Sequence, residues 1–577
     1  MKPTTEVTAM TATTHKTESQ PVTRIRKLLT GSAQIGSRIA AGWFLSSILF
    51  LSASCACRST SIRPVQPVRP RNFKPFVYPS AKEMEAKYSA DTMKRAAKIM
   101  AKVREVNAKG KYQPTWESLD KHQAPEWWLD AKFGMFIDWG LYSVAAYAPV
   151  GYPDWYLHRA FYGDTRVYHE KVWGKDFRRD DFIPLFTAKD FDAEKIVDAA
   201  QAAGMKYVVP FLKHHDGYCL WDSIFTKRNS VEMGPRRDLA RQLAESLKKR
   251  GLKFGFYYSI DDWEYPIIGK DDRLEVRLWE TPGTPEYPEE KWAGLFSGKI
   301  PVRDFYDEYI NPAAVEFFDK YDPDIFWGDG DWGGPDATGR KTRPMLAYFL
   351  NRAEGRKEVV FNDRLGLCRG TPKTPAGQQS NSHGDHWSSE GDYKPGEALV
   401  ADHAWEENHG LSHSFGYNWR ETERDVRSAK ELLHMLIDVV ANGGNLLLIT
   451  NLTPTGKLDP MMASRLKEVG AWLKLNGEAI YTTRKWTTFR QDALRFTRSK
   501  DGRFVYVICL EWPAKQVIVK NLQALEGSEI HMLGVAAPLA WNQSADGLSI
   551  EIPGSLSANR PCDHAWVLKI QQRDNPL

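Results

Sequence analysis

Residues 206–217 read KYVVPFLKHHDG, residues 237–251 read RDLARQLAESLKKRG and residues 253–263 read KFGFYYSIDDW. The first and third are apolar runs that end in polar groups. The second repeats its apolar residues at helical spacing between charged ones. Strand, helix and strand in so short a span predict a parallel βαβ unit. The alternation continues outward from there. FGMFIDWG (133–140) lies upstream, and DIFWGDGDW (324–332), EVVFNDR (358–364), GDHWSSE (384–390) and NLLLITN (445–451) lie downstream, with a helical AEKIVDAAQAAG at 193–204. Seven such strands between about Pro125 and Leu475 predict an α/β fold, a (β/α)8-like TIM barrel over residues 125–477. A doubly wound sheet is the alternative. No GxGxxG follows the first strand, which argues against dinucleotide binding.

Beyond residue 477 the pattern changes. TTFRQ, RFVYVICL, QVIVKN, LSIEI and HAWVLKI alternate in two-residue period, separated by turn signals such as SKDG and NQSADG. They predict a C-terminal antiparallel β-sandwich over 478–577. Residues 81–124 open on a charged, Ala- and Met-rich helical segment. Residues 58–80 hold five prolines between 59 and 79 and read as an extended linker. Residues 1–57 read as a leader: Arg24, Arg26, Lys27 and Arg38 precede the short apolar stretch Ile39–Ala53, the order of a secretory signal. Export to the periplasm or outside the cell is the expectation. A lipid on Cys55 or an uncleaved anchor stays open, and either would be the protein's only link to a membrane.

The net charge of +5 is uneven. Residues 1–80 carry 11 Lys and Arg against 2 Asp and Glu, so the folded part is slightly acidic and offers no basic patch for nucleic acid. Four cysteines remain after the leader, Cys219, Cys368, Cys509 and Cys562. That is no disulfide scaffold, and a Cys509–Cys562 pair or free thiols are both open.

The strand ends carry the chemistry. Asp138, His214, His215, Tyr257, Asp329, Arg364 and Glu390 each close an apolar run. In a barrel the C-terminal strand ends face the active site, so these groups are expected to converge. Two carboxylates among hydroxyl-binding His and Arg and aromatic walls suit glycosidic hydrolysis. One carboxylate attacks or stabilises the oxocarbenium-like centre, and the other protonates the leaving oxygen and then deprotonates water.

KFGMFIDWGLYS, YPDWY, YVVPFLKHHDGYCLWDS, GPRRDLARQL, KFGFYYS, YDPDIFWGDGDW, FGYN and DVVANGGNLLL, in this order from about Trp127 to Leu475, resemble the α-L-fucosidases of glycoside hydrolase family 29. The resemblance implies a barrel followed by a β-sandwich, and removal of terminal α-linked L-fucose from an oligosaccharide or polysaccharide with retention, through a covalent glycosyl-enzyme. It requires no cofactor or metal. It makes Asp329 in PDIFWGD the nucleophile, with Asp331 and Asp324 as rivals, and Glu390 in GDHWSSE the acid/base, with Glu406 and Glu407 of HAWEEN as alternatives. It places His214, His215, Tyr257, Trp155, Asp154, Trp327 and Arg364 around the sugar. Trp221 is open between sugar contact and core.

Two positions depart from the resemblance. Asp138 stands where the family has a His, and Asp154 where a Glu is usual. An ionised Asp only accepts hydrogen bonds, and it adds negative charge beside two carboxylates. These changes leave the sugar open to a substituted fucose or a related 6-deoxy or galacto-configured residue. Two other readings remain beside the fucosidase: a silent carbohydrate-binding protein on the same fold, and a metal-dependent hydrolase using Asp138, His214, His215 and Asp329. The sequence is silent on oligomeric state. The long loop region 264–305 is expected to shape the leaving-group side.

Overall fold

The computed structural model describes residues 66–149, 151–160, 163–278, 294–330, 339–365, 382–391, 393–399 and 402–573. The leader, linker residues 58–65, Asp331 and Cys368 lie outside them. Among the described residues no helix is long and apolar enough to cross a membrane.

The first ten strands, in chain order, are β1 (Phe133–Asp138), β2 (Tyr207–Lys213), β3 (Lys253–Ser259), β4 (Glu264–Ile268), β5 (Leu274–Leu278), β6 (Ile325–Asp329), β7 (Val360–Phe361), β8 (Trp387–Glu390), β9 (Trp405–Gly410) and β10 (Asn445–Asn451). All but β4 and β5 form one parallel sheet in the order β7-β6-β3-β2-β1-β10-β9-β8. Its two outer strands meet through a single parallel bridge between Asn362 and His386, which closes the barrel. Strands β1, β2, β3, β6, β7 and β10 are largely apolar because both faces are buried. Phe136, Val209, Phe211, Tyr257, Trp327, Leu447 and Ile449 fill the barrel interior. The alternate residues Met135, Val208, Phe256, Phe326 and Leu448 pack outward under the helices.

The sequence showed seven of the eight barrel strands. The missing one, β9, reads WEENHG, and its inward residues are Glu406 and Asn408 rather than aliphatics. Both polar side chains are hydrogen-bonded: Tyr207 Oη donates to Glu406 at 2.6 Å, Trp327 Nε1 donates to it at 3.1 Å, and Asn408 Nδ2 donates to Ser389 O at 2.9 Å. A second difference is the region 264–305. It opens with an antiparallel hairpin, β4–β5, rather than a loop; residues 279–293 are outside the described set. Arg277 of this hairpin donates to Asp261, just beyond β3, at 3.0 Å.

The helices begin where side chains can cap them. Asp192 accepts from Lys195 N for Ala193–Ala202, and Asp238 from Arg241 N for Leu239–Lys249. Ser428 and Glu431 form a reciprocal capping box on Ala429–Ala441. The N-terminal segment is a nearly continuous helix, Ala81–Met84 and Ala90–Lys109 joined by a π-turn at Glu85–Ser89.

The C-terminal strands are β11 (Thr483–Gln491), β12 (Leu494–Ser499), β13 (Phe504–Cys509), β14 (Gln516–Val519), β15 (His531–Met532), β16 (Trp541–Ser544), β17 (Gly547–Glu551) and β18 (Trp566–Gln571). They form antiparallel sheets of five strands, β11-β12-β13-β18-β15, and three strands, β14-β17-β16. Alternation along β13 divides two cores. Val505, Val507 and Cys509 face the sandwich, whereas Tyr506 and Ile508 join the core of the barrel. Cys219, Cys509 and Cys562 are free thiols.

One buried ion pair spans that junction. Arg495 of β12 donates through Nε to Asp438 on the helix Ala429–Ala441; Asp438 also accepts from Tyr393 Oη at 2.8 Å and from Gly396 N at 2.9 Å. Removing one partner strands a buried guanidinium. Asp438→Ala is expected to lower unfolding free energy by about 3–5 kcal/mol, read by urea titration of Trp fluorescence. A loss below about 1 kcal/mol would place the cohesion of the junction in its apolar contacts alone.

Candidate active site

At the C-terminal strand ends lies a cavity of about 420 Å³, lined by Phe136, Phe211 and Trp327 at its base and by polar groups above them. Its centre is Asp329, the last residue of β6. Tyr257 Oη, from β3, donates to Asp329 Oδ2 at 2.7 Å. Burial and the charge of Asp329 hold the Tyr257 hydroxyl well above its ordinary pKa, so it remains a donor. Arg364 follows β7 and donates through Nη1 to Asp329 Oδ1 at 3.2 Å. Its Nη2 lies 2.8 Å from Glu390 Oε2, at the end of β8. One guanidinium therefore bridges the two carboxylates. Nε of the same group donates to Ser388 Oγ at 2.8 Å, and the group lies 4.6 Å over the Trp327 ring.

The second wall comes from β1, β2 and the turn Pro153–Trp155. His214 Nε2 is 3.5 Å from Asp154 Oδ2, and His215 Nε2 is 3.6 Å from Asp329 Oδ2. His215 Nδ1 is fixed by Ser259 Oγ at 2.5 Å. Burial, and then the adjacent His215, push His214 well below its ordinary pKa, so its ring is neutral. Asp138 accepts from Tyr142 Oη at 2.5 Å. Burial pushes Asp138 up to about 7, against that hydrogen bond and with the charge of Glu390 adding to the rise. Asp154 is raised well above the carboxylate range by burial, then by Asp138 and Glu390. Gly416 of FGYN backs this pair. Its φ of +76° and the closeness of Asp154 N and Asp138 Oδ1 to where a Cβ would stand both favour glycine there.

Of the residues singled out in the sequence, Asp154, Trp155, His214, Tyr257, Trp327, Asp329, Arg364 and Glu390 line the cavity together. Asp138 and His215 do not line it: both are almost wholly buried behind the wall, so a direct sugar contact through Asp138 is not what the geometry offers. Glu406 sits below Trp327 in the barrel interior. Glu407 points the other way along β9, toward Tyr393 N and His409. Asp324 lies at the opposite end of β6, between Lys253 and Lys357. Trp221 is core, packed on Phe256 and Phe317. Among the described residues no three His, Cys, Asp or Glu side chains gather as a metal-binding set.

Besides the strand residues Phe136 and Phe211, four lining residues escaped the sequence reading: Tyr152, Arg159, Asn408 and Phe415. Three of them lie inside motifs quoted there, YPDWY, HAWEEN and FGYN, but none closes an apolar strand. Tyr152 donates to Glu390 Oε1 at 3.3 Å and stacks on Phe415 with ring centres 5.1 Å apart.

Comparison with known proteins agrees with this geometry. The α-L-fucosidase family profile matches residues 99–478, and that of the α-L-fucosidase C-terminal domain matches residues 488–571. Human plasma α-L-fucosidase is 32% identical over 473 residues, covering 80% of this chain and 92% of its own. Human tissue α-L-fucosidase is 32% identical over 480 residues, covering 81% and 93%. The crystal structure of Thermotoga maritima α-fucosidase in complex with a mechanism-based inhibitor superposes with a TM-score of 0.65 at 32% identity, covering 80% of this chain and all of that one. With both domains matched in order and the carboxylates assembled at the strand ends, the chain belongs to the α-L-fucosidase family of glycoside hydrolases.

Proposed function

We propose that this protein removes terminal α-L-fucose from fucosylated oligosaccharides or polysaccharides by double displacement, with Asp329 as nucleophile and Glu390 as acid/base. The observation that carries the assignment is the Arg364 guanidinium held between the two carboxylates. Retention needs carboxyl groups about 5–5.5 Å apart, and two carboxylates sharing one guanidinium suit that spacing. Tyr257 and Arg364 aim Asp329 at the anomeric carbon. Glu390, with 23% of its side chain exposed, has the access to solvent that a group exchanging protons with water requires. In the first step Asp329 bonds to the anomeric carbon as the glycosidic bond breaks, and Glu390 gives its proton to the leaving oxygen. In the second, Glu390 takes a proton from water, whose oxygen displaces Asp329. Phe136, Phe211 and Trp327 offer the apolar surface against which a deoxy sugar's methyl group packs.

The stereochemistry of azide products separates the two carboxylate roles. Asp329→Gly should lose roughly 10³-fold or more in turnover of an aryl α-L-fucoside, and added azide should restore it with β-L-fucosyl azide as product. Glu390→Ala with the same substrate should give α-L-fucosyl azide. NMR of the products decides; an α-azide from Asp329→Gly would remove Asp329 from the nucleophile role.

Asp138 supplies a second, pH-dependent outcome. Its folded pKa of about 7 exceeds the unfolded value near 3.9. The folded state therefore binds the extra proton between these values, and stability falls as pH rises through that window. Asp138→Asn removes the penalty. The apparent unfolding temperature of the variant should exceed that of the parent at pH 7–8, by an amount that corresponds to about 1–3 kcal/mol, and the gain should shrink toward pH 4. A gain independent of pH would assign Asp138 an ordinary carboxylate pKa.

A further inference from the structure

Arg159 ends the short helix Tyr156–Arg159 at the rim of the cavity and contributes to its lining. Its guanidinium lies 5.7 Å from the Trp155 ring and 6.0 Å from the Tyr152 ring. Arg364, the other arginine that lines the cavity, is matched to two carboxylates, Asp329 and Glu390. Among the described residues Arg159 makes no ion pair and no hydrogen bond, and it acts on Asp154 only as a charge at longer range. The guanidinium stands near two aromatic rings, and its N–H groups are left for a ligand. Their fork matches two oxygens of a carboxylate or a sulfate ester.

The position of the fork narrows the ligand. Tyr152, near whose ring Arg159 stands, donates its hydroxyl to Glu390. Arg159 therefore lies on the side where Glu390 would meet the leaving oxygen. Its charge also reaches inward, where it opposes the upward shift of Asp154. A substrate bearing only hydroxyls would leave this cation without an anionic partner in a half-enclosed rim.

We propose that Arg159 reads an anionic group on the substrate, so that the preferred substrates are fucosides carrying a sulfate ester or a carboxylate at the rim formed by Tyr152, Trp155 and Arg159. The proposal rests on the fucosidase reading and names the substrate class within it. The anion sits either on the fucose ring, as a sulfate ester, or on the sugar that leaves, as a sulfate ester or a uronic carboxylate.

Matched substrates test it. One pair is an aryl α-L-fucoside and its ring-sulfated form. The other is an α-L-fucosyl disaccharide ending in a uronic acid and its carboxyl-reduced counterpart. A charge-assisted contact of this kind predicts kcat/KM about ten- to a hundredfold higher for the charged member of at least one pair, and the pair that responds locates the anion. Arg159→Met, which keeps an apolar stem near the rings, should bring that ratio close to one, Arg159→Lys should keep part of it, and added salt should reduce it in the parent protein. Neutral fucosides cleaved as well as charged ones, or a preference that survives Arg159→Met, would overturn the proposal while leaving the fucosidase reading intact. Failure of the folded protein to cleave any of the four α-L-fucosides would overturn both.

Discussion

The site depends on one guanidinium. Arg364 reaches Asp329 on one side and Glu390 on the other, rests on Trp327 and is steered by Ser388. Two buried or half-buried carboxylates at close range repel each other, and a cation between them offsets that repulsion without filling the cavity. The rest of the barrel can be read as support for this arrangement. Trp327 is fixed from below by Glu406, Glu406 by Tyr207, and Asp329 from the side by Tyr257, which stacks face to face on Phe211 at 3.8 Å. A polar relay thus runs down the barrel axis through otherwise apolar layers, each member satisfied by the next.

The inner wall obeys a different balance. Asp138 and Asp154 lie close to one another with little solvent, and burial drives both toward the neutral form. His214 beside them is neutral as well. A protonated carboxyl both donates and accepts, so Asp154, which lines the cavity, offers it a donor at neutral pH. The wall can therefore be less negative than its residue types indicate.

Much of this was legible in the residues. Apolar runs ending in polar groups located seven barrel strands, and the same endings located Asp329, Tyr257, Arg364 and Glu390. What failed to show obeyed other rules. The strand β9 carries Glu406 and Asn408 inward, and a reader of hydrophobic periodicity passes over it because its burial is sustained by hydrogen bonds rather than by aliphatic side chains. The β4–β5 hairpin is short and carries a charged residue in nearly every turn of its outer strand. Tyr152 and Phe415 belong to loops and Arg159 to a one-turn helix, and their positions relative to the cavity are set by tertiary contacts such as Phe415 N to Gly151 O at 2.7 Å, which no local pattern encodes.

The barrel closes through one backbone bridge, at Asn362 and His386. Side chains of consecutive residues make up the deficit. On its other side Asn362 exchanges two hydrogen bonds with the backbone of Gly328 on β6, at 2.8 and 2.9 Å, which lengthens the short β6–β7 ladder beside the seam. Asp363 accepts from Ser388 N and Oγ, and Asp385 from Phe361 N. Arg364 completes the series, and it is also the link between the carboxylates of Asp329 and Glu390. The seam of the cylinder and the reactive centre are thus one piece of chain. Here the three letters NDR serve both, so the architecture and the chemistry of this protein are inherited, and lost, together.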